Sequence, residues 1–502
     1  MKEVFFIGLD IGTGSTKALA LNEKGRVMAS AQMAYPSTQP EPGWQEQDPE
    51  QVFRAFLAVL QQVSAALPVP PAVVSISSAM HSLMAVDAQA NPLTPLMLWS
   101  DNRGEEVAEA LRNSPLGLQL YHITGTPIHA MSPLCKIRWI ADHRPDVFSG
   151  TGKFVSIKEY IWYRLFGSFV IDESLASATG LLDTKKLDWS TEALSFAGIG
   201  KNQLGELVPT DFTKRLDENR AKEMNLPAST AFCIGGSDGC LASLGSGALD
   251  KGSAAITIGT SGAVRMAVSK PLADERSMLF NYVLDRQTII AGGSVNNGGN
   301  TVKWLLKTFY SESPSAEAYR QLFAAAEQVP AGSEGLLFLP YLNGERAPLW
   351  DEKACGSFIG IRSFHTRDHF IRAGLEGICF ALTQVLRRVE ALTNPVATIH
   401  LSGGILHSAI WMQMLADITG KTLHADQRGD ASAMGAAMLG LKAAGYCDRY
   451  PTFEKQIAIY QPDKKNSDRY NRCMKLFEEL YPLLETTMHE LRMDTQARRL
   501  LW

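Results

Sequence analysis

FFIGLDIGTGSTKALAL, from Phe5 to Leu21, decides how the rest of the chain is read. Phe5, Phe6, Ile7 and Leu9 form the apolar run of a buried strand, and Ala18 to Leu21 form the strand that returns. Between them lie Gly8, Asp10, Gly12, Thr13, Gly14, Ser15, Thr16 and Lys17. Glycines let backbone N–H groups converge on an anion, while hydroxyls and a lysine add further donors. Asp10 is the one acid in the turn and suits a hydrated Mg²⁺ beside a polyphosphate. The plainer reading is a tight hairpin with polar turn residues, and the GxxxxGK[ST] phosphate loop is absent from this stretch. A second stretch, SAAITIGTSGAVRMAV from Ser253 to Val268, repeats the device, with Gly259-Thr260-Ser261-Gly262 at its turn. Two such hairpins, one in each half, point to a nucleotide clamped between two domains of like construction.

The chain's 502 residues exceed one ordinary core. Its 48 basic and 52 acidic side chains leave a net charge of −4, which gives no footing for nucleic acid or an anionic membrane. Seven scattered cysteines without a C-x-x-C pair read as reduced thiols of a cytoplasmic protein, not a disulfide frame or zinc site. The sequence enters its first strand after Met1-Lys2-Glu3, so neither a secretory signal nor a membrane span is expected.

Further along, Val27–Ala34 is a third antiparallel strand, and Asp48-Pro49 opens a helix as cap and first residue. Tyr35 to Pro49 is a proline-bearing loop that holds Pro42 to Asp48 and carries Trp44, either functional or packed back on its own domain. Val73–Ser77 is a buried strand that runs into Ser78-Ala79-Met80-His81-Ser82. Ligands gather at such strand ends, so His81 is a substrate contact or a structural histidine. Leu96–Arg103 reads as a strand ending in Asp101 and Arg103, which bind substrate or cap the helix beginning at Glu105. Pro133–His143 is helical, with Lys136 and Trp139 on adjacent turns, and Phe169–Thr184 reads as strands and a substrate-facing loop. In AFCIGGSDGCLASLGSG, from Ala231 to Gly247, a short strand enters a tight turn Gly235–Gly239 holding Asp238, followed by a helix. A carboxylate fixed there suits a general base; the alternative is Asp238 as the helix cap. In the second half, Ala291–Asn300 opens a helix, His369–Leu392 is long and amphipathic, and Ala397–Leu401 ends in Ser402-Gly403-Gly404. Ala431–Gly445 is a tightly packed small-residue helix, and Asn466–Met493 a charged amphipathic one.

This order of features resembles the FGGY carbohydrate kinases from about Phe5 to Gly445. Met131–His143, with Pro133, Lys136, Trp139 and Asp142, is similar to one family signature; GSFIGIRSFHTRDHFIRAGLE, Gly356–Glu376, is similar to the other. It departs at Gly374, where a larger residue is usual and looser helix packing is expected. The resemblance implies two ribonuclease-H-like, actin-like α/β domains, residues 1–248 and 249–502, with a cleft between them for ATP, Mg²⁺ and a small sugar or sugar acid. It implies that Asp10 holds the metal and that Gly12, Thr13, Gly14, Ser15 and Lys17 line the ATP phosphates. Asp238 is then the catalytic base, and Met80, His81, Ser82, Asp101, Arg103 and Lys136 form the sugar site. Gly259, Thr260 and Ser261 make the second phosphate hairpin, and Gly403, Gly404 and Ser408 lie at the nucleotide; Ser408 stands where some relatives have Asn.

Met80-His81-Ser82-Leu83-Met84, Leu98–Arg103, Val295–Gly299 and Gly344–Trp350 lean toward the branch that phosphorylates gluconate. The ketose branch usually carries Gly where Ser82 stands. Arg103, Lys136 and Arg346 are expected as cations for a substrate carboxylate. The rival readings are a xylulose, ribulose or polyol kinase, an actin-like nucleotide switch, and a sugar-responsive regulator, for which no helix-turn-helix is seen. A homodimer is left open.

Overall fold

The computed structural model describes residues 4–275, 278–310, 315–426, 430–453 and 457–499, with side chains to 492. Met1-Lys2-Glu3 lie outside the described residues. The chain divides into two compact units. The first comprises Met1–Leu249, Ala267–Ala291 and Arg428–Lys455; the second comprises Asp250–Met266, Gly292–Gln427 and Gln456–Trp502.

The first unit is built on a six-stranded sheet. Its strands are β1 (Phe5–Ile11), β2 (Ser15–Asn22), β3 (Val27–Ala34), β4 (Val73–Ser78), β5 (Thr213–Arg215) and β6 (Ala231–Ser237), in the order β5-β6-β4-β1-β2-β3. β1 to β3 form the expected antiparallel meander, and β4 and β6 join it in parallel. All seven residues of β1 are buried, as a strand covered on both faces requires. The helix Pro49–Ala65 lies against β2 and β3, capped by Asp48 with Pro in its first turn. The small-residue helix Ala431–Ala443 lies against β1, β4 and the helix Asp238–Ser246.

The second unit repeats the pattern with β7 (Ser253–Ile258), β8 (Gly262–Val268), β9 (Thr288–Val295), β10 (Thr398–Gly403), β11 (Thr422–Asp426) and β12 (Ile457–Tyr460). Six of the seven strands of its sheet run in the order β9-β8-β7-β10-β11-β12, with β7 antiparallel to β8 and parallel to β10. The long helix Arg367–Leu392 packs beside the helices Gly299–Tyr310, Ala316–Glu327 and Ala409–Thr419. A meander of three strands followed by parallel strands on its inner edge is the ribonuclease-H-like arrangement of actin-like ATPases, present once in each unit.

Several local readings are corrected. Leu96–Arg103 is a strand only at Leu96–Met97, which pairs with Glu46–Gln47. Phe169–Thr184 contains a helical turn, Glu173–Ser177, between short strands. Gly374 tightens the packing rather than loosening it, since a Cβ there would lie 2.7 Å from Leu305 Cδ1. None of the seven cysteines forms a disulfide. Among the described residues no helix is long and apolar enough to cross a membrane.

Candidate functional site

The register of the first sheet puts Asp10 opposite Lys17 on β2 and beside Ser77 on β4. Ser77 Oγ donates to Asp10 Oδ1 at 2.7 Å. Burial, then the carboxylates of Asp430 and Asp238, push the Asp10 carboxyl up to about 8; the Ser77 bond and Lys17 act against this. Lys17 Nζ pairs with Asp430 at 2.7 Å. Asp430 also caps the helix Ala431–Ala443, accepting from Ser432 N and Ala433 N. Asp430 was missed in the sequence, where its only signal is that of a helix cap before small residues.

The turn that follows is held both from within and from outside. Gly12 N donates to Ser15 O at 3.0 Å, and Tyr35 Oη donates to Gly12 O at 2.6 Å. Gln47 Nε2 donates to Thr13 O, and Trp99 Nε1 to Thr13 Oγ1 at 3.1 Å. Ser15 Oγ accepts from Gln32, and Gly14 is exposed. A small cavity lined by Gly12, Thr13, Gln47, Met80, Ser82 and Trp99 brings this turn together with the residues after β4.

His81 sits at φ 65° and is buried. Its Nδ1 lies 2.8 Å from Ala178 O and its Nε2 3.3 Å from Tyr282 Oη, so both ring nitrogens are oriented. A second cavity, lined by His81, Ser82, Ser156, Glu159 and Thr179, lies behind it. Burial raises the Glu159 carboxyl to about 7.

Asp101 and Arg103 do not cap the next helix, whose cap position is Gly104. The Arg103 guanidinium grips Asp101 through two bonds, 2.8 and 2.7 Å, and reaches Glu46 at 2.6 Å. It stacks 4.0 Å over Trp44, which also meets Trp139 edge-on. The Trp44 loop is thus tied to its own domain. Lys136 is fully buried and donates to His81 O at 2.8 Å and Leu98 O at 2.6 Å. Burial lowers its ammonium to about 7. Both cations already have partners, and Arg346 belongs to the second unit, where its guanidinium donates to Val295 O.

Asp238 is neither in a tight turn nor a helix cap. β6 continues through Gly235, Gly236 and Ser237, Ser237 is the cap residue, and Asp238 is the first residue of the helix. Its Oδ1 accepts from Gly239 N at 2.7 Å and the carboxylate stays half-exposed. The first unit therefore gathers Asp10, Asp238 and Asp430 into one electrostatic cluster. Among the described residues no three His, Cys, Asp or Glu side chains form a complete metal-ligand set. A cation here would share its shell with water and phosphate, as Mg²⁺ does.

In the second unit, β7 and β10 end side by side at Ile258 and Gly403. Gly403, at φ 88°, would drive a Cβ to 2.4 Å from Ile258 O, so only glycine fits there. Gly259, Thr260, Gly403 and Gly404 are exposed. Gly299 N and Asn300 N donate to Gly259 O and Thr260 O, which seats the start of the helix Gly299–Tyr310 on the hairpin. Ser408 is buried, and its Oγ accepts from Trp411 N as the cap of Ala409–Thr419.

The sequence matches the models of the FGGY family of carbohydrate kinases, the N-terminal domain over residues 5–245 and the C-terminal domain over 254–444. It is 40% identical to a gluconokinase of Bacillus subtilis over 96% of both chains. It is 30% identical to a xylulose kinase of the same organism, over 95% of this chain and 96% of that one. The crystal structure of gluconate kinase from Lactobacillus acidophilus superposes with a TM-score of 0.93 at 31% identity, covering 98% of this chain and all of that one.

Proposed function

We infer the reaction from one premise: the chain belongs to the FGGY family of carbohydrate kinases. Within that family we propose that it transfers the γ-phosphoryl group of ATP to the terminal 6-hydroxyl of D-gluconate. The observation that carries the choice of substrate is the 40% identity with a gluconokinase along nearly the whole length, against 30% with a xylulose kinase over a similar span. The motifs around Ser82 and Arg103 lean the same way.

The half-exposed Asp238 carboxylate accepts the hydroxyl proton as the oxygen attacks the γ-phosphorus. The bond from phosphorus to the β–γ bridging oxygen breaks, and ADP leaves. Positioning and electrostatics dominate such a transfer. Thr13, Gly14, Ser15 and Lys17 offer donors to the phosphates on the first unit, in a turn closed by the Gly12 N–H on Ser15 O; Thr260 and Ser261 do so on the second, where the Gly259 N–H closes the turn on Ser261 O, with Gly403, Gly404 and Ser408 toward the base. Asp10, a buried carboxylate crowded by two others, is the residue that would hold Mg²⁺, which neutralises phosphate charge when bound. Met80, His81 and Ser82 face the sugar. Asp101, Arg103 and Lys136 act on it through what they hold: the Trp44 loop and the backbone of His81 and Leu98. We assign the sugar site, base and first hairpin to residues 1–248, the second hairpin and nucleotide base to 249–502, and a cytoplasmic location, consistent with seven cysteines outside any disulfide.

A coupled ADP-release assay over gluconate, xylulose, ribulose, fuculose, rhamnulose, glycerol and erythritol tests this. Gluconate is expected to give the highest kcat/KM. A tenfold preference for xylulose or ribulose would overturn the substrate while leaving a kinase. Sugar-independent ADP release alone would favour the actin-like switch.

A further inference from the structure

Behind the strand that delivers Asp238 lies a buried ion pair that the transfer step does not use. Lys158, on the helix Ile157–Phe166, is 1% exposed, and Asp172 is fully buried; Nζ and Oδ2 are 2.7 Å apart. Replacing a buried pair by apolar groups of similar volume is often neutral or stabilising, so stability alone does not account for it.

Its other contacts give a reason. Lys158 Nζ donates to Gly236 O at 3.1 Å and reaches Ile76 O at 3.5 Å. These carbonyls lie on β6 and β4 where the pairing register slips between Cys233 and Gly236. Gly235 turns the bulge at φ 71°, so close to β4 that a Cβ would fall 2.0 Å from Ile76 O. A bulge takes backbone groups off the ladder and redirects the chain after it. Buried carbonyls left this way need a donor, and the Lys158 ammonium supplies it. Asp172 also accepts from Leu175 N, capping the turn Glu173–Ser177. In that turn Ser174 Oγ donates to Ser237 Oγ at 3.0 Å and accepts from Ser237 N at 3.1 Å. The two residues immediately before Asp238 are therefore gripped, one by Lys158 and one by the turn that Asp172 caps.

We propose that Lys158 and Asp172 are positioning residues for Asp238, holding the bulge that aims its carboxylate. This rests on the reading of Asp238 as the base. The test uses the full chain as K158M/D172N, which removes the ammonium and both charges while Asn keeps the capping oxygen, and as D172N alone. Thermal melting, ADP affinity, KM for gluconate and kcat are measured beside D238N. The expected result is cooperative melting, ADP affinity and KM within twofold of the parent, and kcat lowered by about 10- to 100-fold, the scale of an ångström misplacement. D172N alone shows the same split to a smaller degree and serves if the double variant does not fold. The inference is overturned if kcat stays within twofold of the parent in a folded variant, or if the loss falls on KM or ADP affinity. If D238N itself turns over like the parent, the base assignment fails instead.

Discussion

Gly435→Ala tests how closely the carboxylate cluster depends on backbone packing. The helices Asp238–Ser246 and Ala431–Ala443 touch through glycines, and the second also lies on Gly8 of β1. A Cβ on Gly435 would fall 1.9 Å from Leu241 O, one on Gly245 2.0 Å from Ala431 O, and one on Gly8 1.8 Å from Ala433 O. Since Cβ contacts below 3.0 Å essentially do not occur, the helices must separate by about 1 Å to admit the added methyl group. Overpacking costs up to ~3 kcal/mol, and the better helix propensity of Ala returns ~1 kcal/mol. The net loss of ~2 kcal/mol corresponds to a melting temperature lower by roughly 2–3 °C, because the unfolding entropy grows with chain length. The same separation moves Asp430 and Asp238 relative to Asp10, so turnover should fall by about 10- to 100-fold. Gly150→Ala is the control: its nearest neighbour, Leu93 Cδ1, is at an ordinary 3.7 Å, so stability should stay within about 0.5 kcal/mol. Differential scanning fluorimetry and steady-state kinetics on both variants decide. A Gly435→Ala protein melting within 1 °C of the parent, with kcat within twofold, would refute the claim that this contact spaces the site.

Asp238→Asn should keep fold and nucleotide binding and lose about 10²- to 10⁴-fold in kcat, the contribution of a general base; turnover within threefold of the parent excludes the role. Asp10→Ala should weaken metal-dependent ATP use while gluconate binding survives, and an unchanged Mg²⁺ titration would reduce Asp10 to a turn residue. Lys136 carries a pH signature: burial brings its ammonium to about 7 in the fold, opposed by Asp101 and reinforced by Arg103, against about 10.4 unfolded. The unfolded chain then binds the extra proton between those values, so the Lys136 contribution to stability rises with pH across that window. Urea unfolding of parent and Lys136→Met at pH 7 and 9 should show the parent gaining relative to the variant, and a constant difference would contradict it.

What the sequence revealed was local. The hairpin at Phe5–Leu21 and its echo at Ser253–Val268 are visible because strand, turn and strand are contiguous, and each anchors a sheet of the same order. The bulge at Gly235 reads as a turn in the sequence because adjacent glycines usually mark one. Only Gly235 takes a positive φ, while Gly236 and Ser237 go on pairing with Ser77 and Ser78. Leu96–Arg103 looked like a strand from its apolar residues, yet Asp101 draws the chain into a loop by accepting from Gln45 N and Arg103 N. The Lys17–Asp430 pair joins residues 413 positions apart, beyond any periodicity. Lys158 and Asp172 each read as an ordinary charged residue, because only the fold brings them under the bulge.

The carboxylates of Asp430 and Asp238 both act on Asp10, and the Lys17 ammonium offsets Asp430 directly. Asp10 is left with the Ser77 hydroxyl as its hydrogen-bond partner, and a buried carboxylate so placed is costly in its ionised form. A fold under selection for stability alone would replace it with Asn or Ser. A polyphosphate entering the same place would add to the negative charge unless a divalent cation came with it. The arrangement is coherent when the nucleotide arrives with Mg²⁺, whose charge compensates Asp10 and the phosphates together. The hairpin amides and hydroxyls, fixed from outside by Tyr35, Gln47 and Trp99, then have only neutral donor work to do, which glycine, serine and threonine perform without adding charge.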